Sequence, residues 1–202
     1  RWQKAAKDNA IIDCIKTAHA KNQPVLVGTS SIELSEELSD RLAAEGITAN
    51  VLNAKNDELE AEIIKEAGRP GAVTISASMS GRGVDIKLGG ADESQKDEAV
   101  AAGGLLILGT FMSESERGDM QLRGRSGRQG DVGESRFIIS LEDEIMTKYE
   151  IKKLIPKRHY PTAETGRPID DKIVLREVDR IQRIAQGDTL ELRKRLLKFT
   201  MI

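Results

Sequence analysis

The sequence contains a single cysteine, Cys14, among its 202 residues. One thiol excludes an internal disulfide and is typical of a protein from a reducing compartment. We therefore expect Cys14 to act as a small buried hydrophobic residue. The two histidines, His19 and His159, lie far from each other and His159 lies far from Cys14. This spacing does not suit a metal site, so no metal ligand is predicted from this chain.

Aromatic residues and excess charge are also scarce. The chain has three Phe, two Tyr and one Trp, and 31 basic residues against 33 acidic ones, giving a net charge of −2. A near-neutral balance provides no general attraction to nucleic acid, and few aromatic rings are available on which bases could stack. We therefore expect no nucleic-acid partner, and we interpret the basic clusters as local features.

Long hydrophobic runs are absent as well. No apolar stretch approaches the roughly 20 residues that span a bilayer, and the charged segment 1–4 is not followed by the apolar core of a signal peptide. The sequence therefore predicts a soluble protein that would meet a membrane only from outside it.

Hydrophobic periodicity predicts an α/β fold with a mostly parallel sheet flanked by helices. Short apolar runs indicate strands, and steps of three and four between apolar residues indicate helices between them. Ser30 and Glu33 have capping-box spacing at the start of the second helix. The predicted strands are 25–29, 51–52, 72–76, 103–109 and 136–140, and the predicted helices are 3–22, 30–46 and 59–67.

Two regions lack this alternation. Residues 87–102 are polar, small and acidic, and are interpreted as a surface excursion of modest order. From about residue 151 the chain becomes an irregular basic connector, in which His159 is expected at the surface. An apolar stripe then predicts a terminal helix, formed by Val174, Val178, Ile181 and Ala185 and continued by Leu192, Leu196 and Phe199.

Two glycine- and arginine-rich motifs carry the chemistry. Segment 121–131 holds Arg123, Arg125 and Arg128, and Arg82 lies in segment 80–85. Arginine presents a rigid fork of donors that suits γ-phosphate oxygens, and glycine lets the backbone approach a ligand. Such a run is also compatible with a solvated loop or with contacts to nucleic-acid phosphates. The carboxylates of Asp85 and Asp131 could orient an arginine or merely hold one in place.

The other half of a nucleotide site is missing. The sequence has no Gly-x-x-x-x-Gly-Lys-Ser/Thr loop to cradle phosphates. Asp97-Glu-Ala-Val100 mimics a metal-binding acidic box, but no apolar strand precedes it, so we reject it as a metal site. The chain therefore has the charge-stabilising half of an ATPase without the nucleotide-cradling half.

Taken together, these motifs resemble SecA, the ATP-driven motor family of bacterial preprotein export, and specifically its second nucleotide-binding domain. This resemblance implies a RecA-like P-loop NTPase fold for residues 1–150, and a connector with the start of a helical scaffold domain for 151–202. The stretches that carry it are 25–29, 50–55, 71–75, 81–89, 121–131 and 140–146.

Departures from the family pattern favour an accessory SecA paralogue. Val84 stands where the family has Thr in Gly-Arg-Gly-Thr-Asp, so any hydroxyl role there is lost. Residues 76–80 replace the usual Asn-Met-Ala run, and Phe111-Met-Ser-Glu114 replaces Glu-Arg-His-Glu.

The resemblance also assigns roles. Arg128 corresponds to the family's arginine finger, Arg125 to its companion on the γ-phosphate, and Arg82 to a further arginine needed for hydrolysis. The resemblance places the bound nucleotide near four more residues, Gly81, Gly83, Asp85 and Gln121. ATP and Mg²⁺ would be held mainly by an N-terminal nucleotide-binding domain of the same protein, so the isolated chain is predicted to be inactive.

The implied partners are that domain, a preprotein substrate and a membrane translocation channel of the SecYEG kind, and whether the parent forms a homodimer is left open. The implied location is the cytoplasm, with peripheral association to the inner face of the bacterial cell membrane. Two alternatives remain, the C-terminal half of a superfamily 2 RNA helicase and a non-catalytic regulatory module that docks a partner through its terminal helix.

Overall fold

The computed structural model describes residues 4–52, 57–77, 86–112, 132–160 and 168–200. Its helices are α1 (Lys4–Ala20), α2 (Ile32–Ala44), α3 (Asp57–Glu66), α4 (Lys96–Ala101), α5 (Glu144–Lys148), α6 (Ile151–Leu154) and α7 (Lys172–Thr200), with a 3₁₀ turn at Lys157–His159. Its strands are β1 (Val25–Gly28), β2 (Asn50–Leu52), β3 (Val73–Ser76), β4 (Leu105–Gly109) and β5 (Gly133–Phe137).

The five strands form one sheet in the order β2-β3-β1-β4-β5, and every pair is parallel. This confirms the predicted α/β fold. Strands β1, β3 and β4 are buried along their whole length because helices cover both faces of the sheet. The chain divides into two compact units, which we call the sheet unit (Asn9–Phe111 and Met120–Ile138) and the helical unit (Arg1–Asp8, Met112–Asp119 and Ile139–Ile202). The sequence boundary at residue 150 stays a prediction.

Alternating side chains of the sheet build two apolar clusters in the sheet unit. On one face Val27, Ile75 and Leu108 pack with Ile15 of α1 and Leu42 of α2. On the other face Leu26 and Ile107 pack with residues of α3 and α4. Cys14 packs against the first cluster but is only half-buried. Burial raises the pKa of its thiol, with Arg136 acting in the opposite direction. A thiol of that kind is a packing residue rather than a reactive one.

Local signals set the helix ends. Ser31, rather than the expected Ser30, is the N-cap of α2, and its hydroxyl accepts a hydrogen bond from the Leu34 amide at 3.2 Å. The capping-box assignment was therefore wrong by one residue. Gly46 closes the same helix with a φ of +80°, as predicted, and the Ile47 amide returns to the Leu42 carbonyl.

Residues 87–102 are not the loosely ordered excursion that was expected. The stretch contains α4, and Leu88 and Ala99 are fully buried in the second apolar cluster. Gly89 and Gly90 turn the backbone sharply with positive φ. Asp97 and its neighbours lie on α4, and the described residues 86–95 before it contain no strand.

The last strand also differs from its prediction. β5 spans Gly133–Phe137 rather than 136–140, and Val132 before it is half-exposed. Its side chains are mostly exposed, so backbone pairing with β4 rather than apolar burial defines this edge strand.

The helical unit is built around α7. Val174, Ile181 and Ala185 are buried on one face against α5 and α6, which confirms the predicted stripe. The continuation at Leu192, Leu196 and Phe199 lies outside the described side chains. The expected irregular connector is partly wrong, because α6 and the 3₁₀ turn form within it and Ile151 and Ile155 are buried.

His159 is not at the open surface. Its side chain is 22% exposed, and its Nδ1 lies 2.8 Å from the Asp171 carboxylate. Asp171 in turn accepts hydrogen bonds from the Ile173 and Val174 amides at the start of α7. Within the described ranges, no helix is both long and apolar enough to cross a bilayer.

Candidate functional site

The carboxyl ends of the parallel strands form one edge of the sheet. Gly28 at the end of β1 pairs with Ser76 of β3 on one side and with Gly109 of β4 on the other. Phe137 of β5 pairs with Gly109. The segments that follow these strands therefore emerge together, and this is the edge at which ligands bind in open parallel sheets.

The strand order reverses at the boundary between β1 and β4. The chain after β1 passes through α2 to β2 on one side of the sheet, whereas the chain after β4 leads to β5 on the other side. Adjacent strands whose connections diverge in this way leave a crevice above their carboxyl ends. The start of α2 lies at this boundary, with its first amides capped by Ser31.

A group of buried hydroxyls supports the edge. The Thr110 hydroxyl donates to the Gly28 carbonyl at 2.7 Å, so it ties the residue after β4 to the end of β1. The Thr29 hydroxyl shares a hydrogen bond with the Ser35 hydroxyl and donates to the Ser31 carbonyl at 3.1 Å. Buried polar groups that are satisfied in this way make a rigid platform, which is what a catalytic loop needs beneath it.

Sequence reasoning missed these hydroxyls. A signal was present, because β1 and β4 both end in a glycine that is followed directly by a threonine, Gly28-Thr29 and Gly109-Thr110. A threonine directly after a buried strand has its hydroxyl at the carboxyl edge, where backbone carbonyls of the neighbouring strand are within reach.

Comparison with known proteins identifies the family. The family model described as the SecA P-loop domain matches residues 2–101 and 91–157, which is more than half of the chain. The chain belongs to the SecA family. It is 48% identical over 193 residues to the protein translocase subunit SecA of Syntrophus aciditrophicus, covering 96% of this chain and 22% of that protein.

Other SecA proteins match over the same share of the chain. The protein translocase subunit SecA of Chlorobium luteolum is 49% identical and the protein translocase subunit SecA 2 of Clostridioides difficile is 44% identical, each over 96% of this chain. The chain covers 18% of the first protein and 25% of the second. It therefore spans about a fifth to a quarter of the length of the SecA relatives it matches.

The predicted site residues of this SecA chain lie outside the described residues. Gly81, Arg82, Gly83 and Asp85 fall in segment 78–85, and the other three, Gln121, Arg125 and Arg128, fall in segment 113–131. Their geometry around a ligand stays a prediction. The same holds for Asp131, the carboxylate considered as an arginine partner.

The described residues show at which strand each of these two segments begins. Segment 78–85 starts two positions after Ser76, the last residue of β3, and segment 113–131 starts four positions after Gly109, the last residue of β4. β3 and β4 flank β1 on its two sides. Both arginine-bearing segments of this chain are thus attached to the same carboxyl edge, on either side of the central strand β1.

One ion pair lies on the edge strand β5. Arg136 on β5 pairs with Glu134 at 2.5 Å, and this pairing raises the pKa of its guanidinium. In the described part of the chain, no group of three His, Cys, Asp or Glu side chains could hold a metal ion.

Proposed function

We propose that this chain is the second RecA-like nucleotide-binding domain of a SecA-type ATPase, followed by the start of the helical scaffold from residue 151. In this proposal residues 1–150 supply Arg82, Arg125 and Arg128 to ATP held by an N-terminal motor domain of the same protein. The observation that carries the proposal is the attachment of both glycine/arginine segments to one carboxyl edge, on either side of β1.

The division of labour follows from what the sequence contains. Because the chain has no phosphate-cradling Gly-x-x-x-x-Gly-Lys-Ser/Thr loop, the phosphates and Mg²⁺ must be held by another domain. Arginines brought to the γ-phosphate from a second domain would offset the charge that develops as the phosphoryl group leaves. Gly81, Gly83, Asp85 and Gln121 would line the nucleotide on this side. The isolated chain should then hydrolyse no ATP.

Coupling would come from the cleft between the two motor domains. Closure on ATP and opening after hydrolysis would move the helical scaffold attached after residue 151 and pass motion to a bound polypeptide. The partners would be a preprotein and a membrane channel of the SecYEG kind, with the motor in the cytoplasm and at the inner face of the membrane. These assignments rest on the relatives being named protein translocase subunits.

The paralogue type is a finer proposal. Val84 and the replaced runs at 76–80 and 111–114 favour an accessory SecA. The matched relatives include proteins named SecA and one named SecA 2, at similar identity, so the proposal rests on these residues rather than on overall similarity.

The decisive experiment measures ATP hydrolysis by the full-length parent under two conditions. One reaction contains single-stranded RNA, and the other contains membranes with an unfolded secretory polypeptide. We expect stimulation only in the second. Stimulation by RNA alone would show that the parent is a superfamily 2 helicase. Its affinity for RNA should then fall steeply as the salt concentration rises. If the membranes and polypeptide stimulate turnover but the arginine substitutions leave it unchanged, this domain is a regulatory module.

A further inference from the structure

The segment downstream of Asp85 is clamped to the turn that follows α3. Ile86 and Leu88 are 8% and 3% exposed and pack with Ile64 and Ala67 of that region. The backbone is held as well, because the Gly89 amide donates to the Gly68 carbonyl at 2.8 Å. The chain immediately after Asp85 is therefore fixed by both apolar burial and a backbone hydrogen bond.

Gly68 is required by this approach. A Cβ atom at Gly68 would lie 2.1 Å from the Lys87 carbonyl oxygen, so any side chain there would push the two backbones apart. Both groups are main chain, and neither can move aside without displacing its segment. The contact therefore depends on glycine at position 68 for space rather than for an unusual φ.

The side chain of Arg69 reinforces this contact between the turn after α3 and residues 87–89. A Cβ atom at Gly90 would lie 2.9 Å from the Arg69 Cζ, so the guanidinium covers the Gly90 backbone. Its Nη1 donates to the Gln95 side-chain oxygen at 3.0 Å, its Nε donates to Glu66, and its Nη2 lies 3.6 Å from the Asp92 carboxylate. One side chain thus joins the end of α3 to the loop before α4.

The loop that Arg69 holds is itself ordered by its own hydrogen bonds. Asp92 accepts from the Ser94 amide at 3.1 Å and from the Ser94 hydroxyl at 2.8 Å. These bonds hold the pKa of Asp92 below its ordinary value, and the carboxylate lies opposite the Arg69 guanidinium. Residues 86–95 are consequently held against the turn after α3, and we call them the anchor.

This anchor sets the far end of the segment that carries Arg82 and Asp85. Its near end is Ser76, which is held in β3 between β1 and β2. Its far end is Ile86, directly after Asp85. A segment fixed at both ends has far fewer conformations than one fixed at a single end, and a catalytic arginine has to be held within a fraction of an ångström.

We propose that Gly68 and Arg69 are positioning residues for segment 78–85, holding residues 86–95 against the turn after α3 so that Arg82 and Asp85 meet the nucleotide in a productive geometry. This inference rests on the proposed function and extends it to residues that touch no nucleotide.

The test uses the full-length parent with Arg69→Ala, Arg69→Lys and Arg128→Ala, and Lys65→Ala as the matched control. Lys65 lies on α3, before the turn that contains Arg69, and forms an exposed ion pair with Glu62. We expect Arg69→Ala to lower kcat about tenfold with KM for ATP nearly unchanged. Arg69→Lys should recover part of this loss because it keeps the charge but not the fork. Lys65→Ala should match the wild type.

Hydrogen exchange separates positioning from general stability. Peptides covering 78–95 should exchange about tenfold faster in Arg69→Ala, while peptides covering β1 stay unchanged. Unchanged kcat in Arg69→Ala, with or without faster exchange, overturns the inference, as does equal acceleration of exchange across the sheet. If Arg128→Ala lowers turnover while Arg69→Ala does not, the positioning inference alone fails. If Arg128→Ala leaves turnover unchanged, the proposed function fails and the inference fails with it.

Discussion

Thr110 donates twice to the carbonyl oxygen of Gly28, through its hydroxyl at 2.7 Å and its amide at 3.1 Å. This oxygen terminates β1, and Thr110 is the first residue after β4. The two central strands are therefore joined at the point where their loops diverge. These hydrogen bonds hold the residue that lies three positions before segment 113–131.

Thr110→Val should destabilise the sheet unit by about 1 kcal/mol, because a nearly buried hydrogen bond is lost while the shape is kept. Thr110→Ser, which retains the hydroxyl, should lose distinctly less. Urea unfolding monitored by circular dichroism measures the free energy of unfolding of the wild type and both variants. Equal losses in the two variants would show that the methyl group, not the hydroxyl, is what the site needs.

Thr74→Val should have the opposite effect. Thr74 lies on β3, is fully buried, and its hydroxyl has no hydrogen-bond partner. Replacing this hydroxyl with a methyl group of similar size should stabilise the protein by about 1 kcal/mol, since a desolvated polar group is removed. Thr74→Ala is the control and should destabilise, because it leaves a small void. A lower urea midpoint for Thr74→Val would mean that the hydroxyl does have a partner in solution.

The ion pair of Lys7 and Asp143 should stabilise the helical unit. The Nζ–Oδ1 distance is 2.7 Å, the side chains are 11% and 15% exposed, and the other Asp143 oxygen accepts from the Ser140 amide. Lys7→Met should cost about 2 kcal/mol by leaving a mostly buried carboxylate without its cation. Lys16→Met breaks the half-exposed pair with Glu45 and should cost far less.

A double-mutant cycle with Asp143→Asn measures the coupling between Lys7 and Asp143 directly. We expect the second substitution to cost much less in the Lys7→Met background than in the wild type. Strict additivity of the two losses in unfolding free energy would show that the two groups do not interact in solution.

Asp171 should make the stability of the helical unit depend on acid pH. The hydrogen bond with His159 is the main cause that lowers the pKa of Asp171, and the Ile173 and Val174 amides add to it. A carboxyl group whose pKa is lower in the folded state stabilises that state above its unfolded pKa of about 3.9. That contribution is lost as the pH falls from about 4 through the lower folded pKa.

Asp171→Asn tests this dependence. The urea midpoint of the wild type should exceed that of the variant at pH 6, and the difference should shrink as the pH falls from about 4 through the lower folded pKa. His159→Gln should remove part of the same difference. A gap between wild type and Asp171→Asn that persists unchanged at pH 3 would show that the charge of Asp171 is not involved.

The extent to which the sequence predicts this fold depends on how local each signal is. Gly46 ends α2 and the apolar runs at β1, β3 and β4 form strands because both signals act within a few residues. β5 was displaced in the prediction because Gly133–Phe137 is polar and pairs through its backbone. Residues 87–102 were misjudged because their order comes from the contact of Gly89 with Gly68, distant in sequence.

The candidate site divides in the same way. Its charged half stays a prediction, because arginines and glycines at short spacing favour phosphate chemistry but lie in segments 78–85 and 113–131, outside the described residues. Its supporting half could not be predicted, because the hydrogen bond from Thr110 to Gly28 and the contact of Arg69 with Gly90 form only when strands and helices have come together. Residues that position a site are in general recognisable only from the folded chain.

Arg128→Ala tests the role that the proposal places on this domain. In the full-length parent we expect ATP turnover to fall about 100-fold or more while nucleotide affinity changes far less, because an arginine finger stabilises charge that develops only in the transition state. Arg128→Lys should recover little, since a single ammonium cannot replace the planar fork. Arg136→Ala is the matched control, because Arg136 is 55% exposed on β5 and pairs with Glu134. Single-turnover hydrolysis and nucleotide titration separate the two quantities. Equal losses of turnover and affinity would make Arg128 a nucleotide-binding residue rather than a catalytic one.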